Sequence, residues 1–279
     1  MALSRVLSSM RKVDISRPIA RVRPAVASLQ VYHNYISIFF YSLADTFAGT
    51  NPQDRIISIT HEREVLGRTP MSPSFVPEAA INDTSIWLGT VGPALAQATF
   101  EVKTVNDSLW LVDFVTLEQR FPEAHRAVTK LNLPCFNWFS GISSNRTNNP
   151  FVFLATHLKH LKVLSFTLNT GGLTTSIYPG EKERMEIEAE DVEKSKELRV
   201  KSLDQIIMFY ALHQLFSAPM LTKVNITSFD DNNVAYHCKH ENPVNIVYQL
   251  ADFLVDGFVQ HQRRVVEVSV RITGATPAQ

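Results

Sequence analysis

Cysteine is nearly absent. Cys135 and Cys238 are the only two in 279 residues, which excludes a disulfide-stapled secreted scaffold and fits a reducing compartment. Net charge is missing too. Twenty-seven Lys and Arg balance 27 Asp and Glu, so the basic excess that a nucleic-acid or membrane-surface binder needs is not there. No long apolar run occurs either. The longest, 35–44 (YISIFFYSLA), contains two serines and is about half of the roughly twenty residues that cross a bilayer.

Catalytic signatures are also lacking. There is no G-x-G-x-x-G, no phosphate-binding P-loop and no G-x-S-x-G, since Gly141-Ile142-Ser143 fails at the next glycine. Ser9-Met10-Arg11-Lys12 matches S-x-x-K, but the accompanying S-D-N and K-T-G elements are absent. Four glycosylation triplets, at Asn82, Asn106, Asn145 and Asn225, are read as unused in a chain rich in Asn, Ser and Thr.

What is present is a core and a repeated pattern. Hydrophobic residues make up 45% of the chain and charged residues 19%, the balance of a globular protein. Four short apolar stretches read as strands: 128–133 (VTKLNL), 161–168 (LKVLSFTL), 221–228 (LTKVNITS) and 265–272 (VVEVSVRI). Each of the last three is fed by a helix-like segment, over 151–160, 202–216 and 243–260. Helix followed by β-branched strand, repeated, predicts a parallel sheet with right-handed crossovers. Strand spacings of about 30 to 60 residues exclude a regular array but allow an irregular, solenoid-like one. Upstream, 55–60 reads as a strand, 86–88 as a short strand, 93–106 as a helix, 109–115 as a strand and 117–127 as a helix. The expected fold is α/β, with a mixed α+β portion over 25–120 continuous with a parallel portion over 121–272. A frayed tail over 273–279 follows. The charged run 181–201 reads as a solvated helical insertion, and Trp87, Trp110 and Trp138 as core.

Residues 1–24 form a separate basic arm. Arg5, Arg11, Lys12, Arg17, Arg21 and Arg23 face the single acid Asp14, and Leu3, Val6, Leu7, Met10 and Val13 share a helical face. That is either a disordered arm, an artefact of gene prediction or a mitochondrial presequence removed on import.

Candidate chemistry is sparse. His237, Cys238 and His240, in YHCKHEN, are the only cluster of soft ligands, but their spacing does not suit tetrahedral zinc. They read as loop residues ahead of the Pro243 helix. His157 and His160 end a predicted helix, where an imidazolium would cap free carbonyls. No catalytic, cofactor-binding or metal-ligating residue is assigned, and no cofactor is expected.

The segment 150–202, with NPFVFLATHLKHLKVLSFTLNTGGLTTS and SKELRVKSL, resembles a group of uncharacterised filamentous-fungal proteins described as F-box-like or distantly leucine-rich-repeat-like. The stretch 89–117 (GTVGPALAQATFEVKTV…LWLVDFVTL) is similar to their helix-then-strand region. The resemblance is carried by pattern and phrase rather than by a catalytic motif, and no amino-terminal Leu-Pro-x-Glu-Leu F-box is present, so the element that would make a ligase adaptor is lacking.

The leading expectation is a non-enzymatic protein-interaction or scaffold module, in cytoplasm or nucleus, with an unidentified protein partner and neither nucleic acid nor membrane. Its binding surface is placed on the loops after the strands, 140–150, 169–180 and 230–242, by analogy with open α/β sheets. The alternatives are an enzyme or accessory protein whose site draws on His157, Asp230, Asp231, His237 and Cys238, and a mitochondrial protein of unknown role.

Overall fold

A computed structural model describes residues 55–136, 149–178, 180–230, 232–239 and 241–274, all belonging to the unit Thr50–Gln279. The basic arm, the apolar segment 25–47, Trp138, loop residues 140–148, Asp231, His240 and the tail 275–279 lie outside the described residues.

The sheet expected from the strand pattern is present, with six strands instead of four. They are β1 (Ile56–Ser58), β2 (Thr99–Glu101), β3 (Lys130–Leu133), β4 (Val163–Asn169), β7 (Lys223–Asp230) and β8 (Glu267–Gly274). A separate antiparallel pair, β5 (Thr174–Ser176) and β6 (Leu198–Val200), lies between β4 and β7 in the chain. All pairs in the large sheet are parallel, and its spatial order β1-β2-β3-β4-β7-β8 follows the chain order without reversal. Right-handed crossovers that always step the same way must return on the same side. The helices therefore share one face.

Burial agrees. The row Ile57, Phe100, Leu131, Leu164 and Val224 runs across five paired strands, and no member is more than 5% exposed. The next row on this face, Leu133, Phe166 and Ile226, is equally buried. Each such side chain contributes about 1.5–3 kcal/mol of hydrophobic stabilisation. The face is roofed by α1 (Val105–Thr116), α2 (Pro150–His157), α5 (Leu203–Tyr210) and α7 (Asn245–Gln262). Two further helices, α3 (Glu181–Glu190) and α4 (Val192–Ser195), form the charged insertion, and α6 (Asn232–His237) follows β7. Among the described residues no helix is long and apolar enough to cross a membrane.

Between residues 86 and 127 the sequence expectations need correction. The segment 109–115, expected as a strand, belongs to α1. Its buried Trp110, Leu111, Phe114 and Val115 recur at helical spacing, and a capping box of Thr104 and Asp107 opens the helix. The expected helix over 93–106 instead stops at Leu95 and gives way to strand β2. Residues 86–88 lie in helical turns begun by Asp83, whose carboxylate accepts from the Ser85 amide at 2.8 Å. Over 117–127 only Ala124–Arg126 is helical, because Glu123 takes a left-handed conformation at φ 59° after Pro122. Further on, a helix begins at Asn232, within the expected turn over 230–233, and Thr273 and Gly274 close strand β8 where a frayed tail was expected. The helix over 202–216 is broken at Ala211, φ 56°, into α5 and a tighter turn over Leu212–Ser217.

Trp87 and Trp110 are core as expected. Their indole N–H groups donate to the carbonyls of Pro122 at 2.7 Å and Arg68 at 3.0 Å. At the other end, Phe216 packs between Phe253 and Phe258 and stacks on His261, with centroids 5.4, 5.1 and 5.0 Å away. Its ring rests on Gly257 of α7, where an added Cβ would fall inside the ring atoms. Alanine is intrinsically the better helix former by about 1 kcal/mol, but the clash outweighs it. Gly257→Ala is expected to destabilise by about 1–3 kcal/mol, read as a lowered Tm. A raised Tm would show that the ring does not need the glycine.

Candidate functional site

The face of the sheet opposite the helices presents an ordered polar surface built from all six strands. It follows from strand parity: in LSFTLN and VNITS the apolar residues turn inward, and Ser165, Thr167, Asn225 and Thr227 turn the other way. Strand registers align one residue from each strand into a single row, Ser58, Glu101, Asn132, Ser165, Asn225 and Ser269. All six are half-buried.

Side-chain hydrogen bonds run along this row. The Asn132 amide donates to Glu101 Oε2 at 3.1 Å, the Asn225 amide donates to Ser165 Oγ at 3.0 Å, and Ser269 Oγ donates to Asn225 Oδ1 at 2.7 Å. Charges beside the row are paired by opposite sign. Lys103 Nζ lies 3.1 Å from Glu101, and Lys223 Nζ lies 2.6 Å from Glu267. Ile56, Phe229 and Arg271 add exposed apolar and cationic contact points. The result is a pre-ordered polar strip of mixed charge, with donors and acceptors held at the strand spacing of about 4.8 Å.

Loops at the carboxyl edge of the strands frame this surface. Asn169 caps the one-turn helix Thr170–Leu173, its Oδ1 accepting from the Gly171 amide at 2.8 Å. Lys201 Nζ donates to the Gly172 carbonyl at 2.7 Å, the Ile177 amide donates to the Glu197 carbonyl at 3.2 Å, and Lys239 pairs with the Glu197 carboxylate. Loops 169–180 and 230–242, singled out by the sequence, are thus tied through the base of the charged insertion. Of loop 140–150, only its end is described. Buried Asn149 caps α2, accepting from the amides of Phe151 at 3.0 Å and Val152 at 3.4 Å, and donates to the Tyr210 carbonyl at 3.0 Å.

Among the described residues, His157 is not brought together with His237 and Cys238. His157 closes α2, which leads into the amino end of β4, with its Nδ1 3.1 Å from the Phe153 carbonyl. Asp230 is the last residue of β7, and His237 and Cys238 follow it at the opposite edge. The seven residues of β4 put roughly 20 Å between the two edges. His160 lies 4.9 Å from His125. Burial, then the neighbouring His125, Arg126 and Lys162, hold its pKa below the ordinary imidazole value. Both cysteines are free thiols, pushed up by burial and so poorer nucleophiles. Among the described residues, no three His, Cys, Asp or Glu side chains gather as a metal set would. Two grooves of about 460 and 560 Å³ run beside α7, sharing Leu203 and Gln249, and neither is lined by His157, His237 or Cys238.

One buried carboxylate stands out, and sequence reasoning passed over it. Asp107 accepts from Thr60 Oγ1 at 2.5 Å, Arg63 Nε at 3.0 Å and the amides of Lys103 and Thr104 at 3.1 and 2.8 Å. Burial works to raise its pKa, but hydrogen bonds from Thr60, Arg63 and Thr104 outweigh it and hold the carboxyl below the usual range. The signal was there in the T-x-x-D spacing of Thr104 and Asp107, a capping pattern. Its role is structural: it ties the turn after β1 to the start of α1. A depressed folded pKa stabilises above the unfolded value of about 4, and that stability is lost as pH falls through the folded pKa. Asp107→Asn should therefore cost roughly 2–4 kcal/mol at neutral pH and flatten the acid limb of stability. Denaturant unfolding across a pH series measures both, and a variant as stable as wild type would rule the role out.

No family model matches this chain, and no curated protein or solved structure matches it.

Proposed function

We propose that this chain is a non-enzymatic intracellular protein-interaction module of the degenerate leucine-rich-repeat-like kind. Its partner lies against the open sheet face and the carboxyl-edge loops 169–180 and 230–242. The observation that carries the reading is the row from Ser58 to Ser269, six half-exposed polar residues in register on six adjacent strands. Catalysis needs acid, base or nucleophile within hydrogen-bond reach of one reacting centre, and His157 is separated from His237 and Cys238 by the length of the sheet. A broad surface of satisfied but accessible polar groups instead suits a protein partner, whose interfaces are polar and hydrogen-bonded over most of their area. The alternation of Glu and Lys along the face favours a partner of mixed charge over a polyanion.

The test is purification of the tagged protein from its own cells, with mass spectrometry of co-purifying species, for wild type and two variants. Ser165→Arg places a bulky charge in the middle of the row. Met208→Arg changes a residue that is 69% exposed in the helix layer. A stoichiometric partner lost with Ser165→Arg and kept with Met208→Arg is the expected result. A partner indifferent to Ser165→Arg, or recovery of the protein with only a retained small molecule, would overturn the proposal.

A further inference from the structure

Strand β8 ends the sheet, and among the described residues nothing pairs with its outer edge. It is a long edge, aligned with β7 over eight consecutive positions without a bulge. It contains no proline. Natural sheets blunt such edges with short strands, proline, bulges or charge, and here only Glu267 and Arg271 serve. On the helix-facing side, Val268, Val270 and Ile272 stay half-exposed, whereas their neighbours Val224 and Ile226 are fully buried.

Backbone parity fixes which groups are free. The Glu267 amide donates inward, to the Thr222 carbonyl at 2.9 Å. Alternate residues of a strand point the same way, so Ser269 and Arg271 also bond toward β7. The N–H and C=O groups of Val268, Val270 and Ile272 point outward.

We propose that β8 pairs antiparallel with β8 of a second copy of this chain, about a twofold axis through Ser269. This is independent of the function proposed for the open face. In that register Val268 faces Val270 of the other copy, and these are residues with outward backbone groups, as a hydrogen-bonded pair requires. Glu267 then faces Arg271 of the other copy, twice by symmetry, and Ser269 faces its own equivalent in the closely spaced pairs. Both charged residues are exposed, the Glu267 side chain by 63%. Glu267 keeps its bond to Lys223 through Oε1, and its second oxygen is available to Arg271. A twofold axis at Val270 instead sets Arg271 against serine and Glu267 against threonine, so both charges go unanswered. The dimer joins two sheets into one of twelve strands, with both polar rows on the same side.

Sedimentation of the full chain over low to high micromolar concentration tests this. The expected result is a reversible monomer–dimer equilibrium, weak because strand pairing alone makes a small interface. Arg271→Glu should weaken it by about tenfold or more, since like charges then meet twice. The charge-swapped pair Glu267→Arg with Arg271→Glu should restore it. Val270→Pro removes an outward N–H without touching the β7 ladder and should leave a folded monomer by circular dichroism. A protein that is monomeric at every concentration would overturn the proposal. So would a dimer insensitive to Arg271→Glu and Val270→Pro, or a charge swap that fails to restore association.

Discussion

Everything about this sheet follows from the sameness of its connections. Each parallel crossover returns on one side and steps one strand further along, so chain order and spatial order coincide. One face then takes the crossover helices and the buried apolar rows, while the other receives what strand alternation sends there, Ile56 and Phe229 included. In a doubly wound sheet the order reverses, and the crevice at that reversal becomes the ligand site. Here there is no reversal and no such crevice, and the side opposite the helices is one extended face.

Such a layered half-solenoid stands on local fastenings. Each strand–helix unit buries only one face and depends on its neighbours, so joints between units matter more than any single contact. Asp107 makes one such joint, gathering a hydroxyl, a guanidinium and two amides at the start of α1. Asn149 makes another, capping α2 while holding the last carbonyl of α5. Phe216 on Gly257 makes a third, setting how closely α7 approaches the turn before β7. These joints use a buried charge, an amide and an aromatic ring, and each ties segments distant in sequence.

The second half of the fold was legible in the sequence because strands β3, β4, β7 and β8 carry clean period-two alternation between polar or glycine-containing boundaries. The stretch 86–116 was not. LWLVDFV is apolar at both strand and helix spacing, and only the cap of Thr104 by Asp107 decides it, a signal two residues wide. Thr99–Glu101 is a three-residue strand held by neighbours on both sides, with too little sequence of its own to declare itself. The polar face was half legible. The alternation of Ser165 and Thr167 with Leu164, Phe166 and Leu168 already implied a polar face, but its row-by-row alignment depends on register, which no single strand encodes.

The charged insertion stands apart from these constraints. Helix α3 has no buried residue, and at ten residues it is shorter than an isolated helix needs to be stable in water. Its base is closed by β5 and β6, which bring the chain back to where it left the sheet. The excursion is therefore decoupled from the spacing of β4 and β7: residues can be gained, lost or exchanged within it while the ladder between those strands keeps its register. In a fold whose other connections must each span one strand step, this loop is where sequence length can vary freely, and so where related chains can diverge in size while keeping the same face.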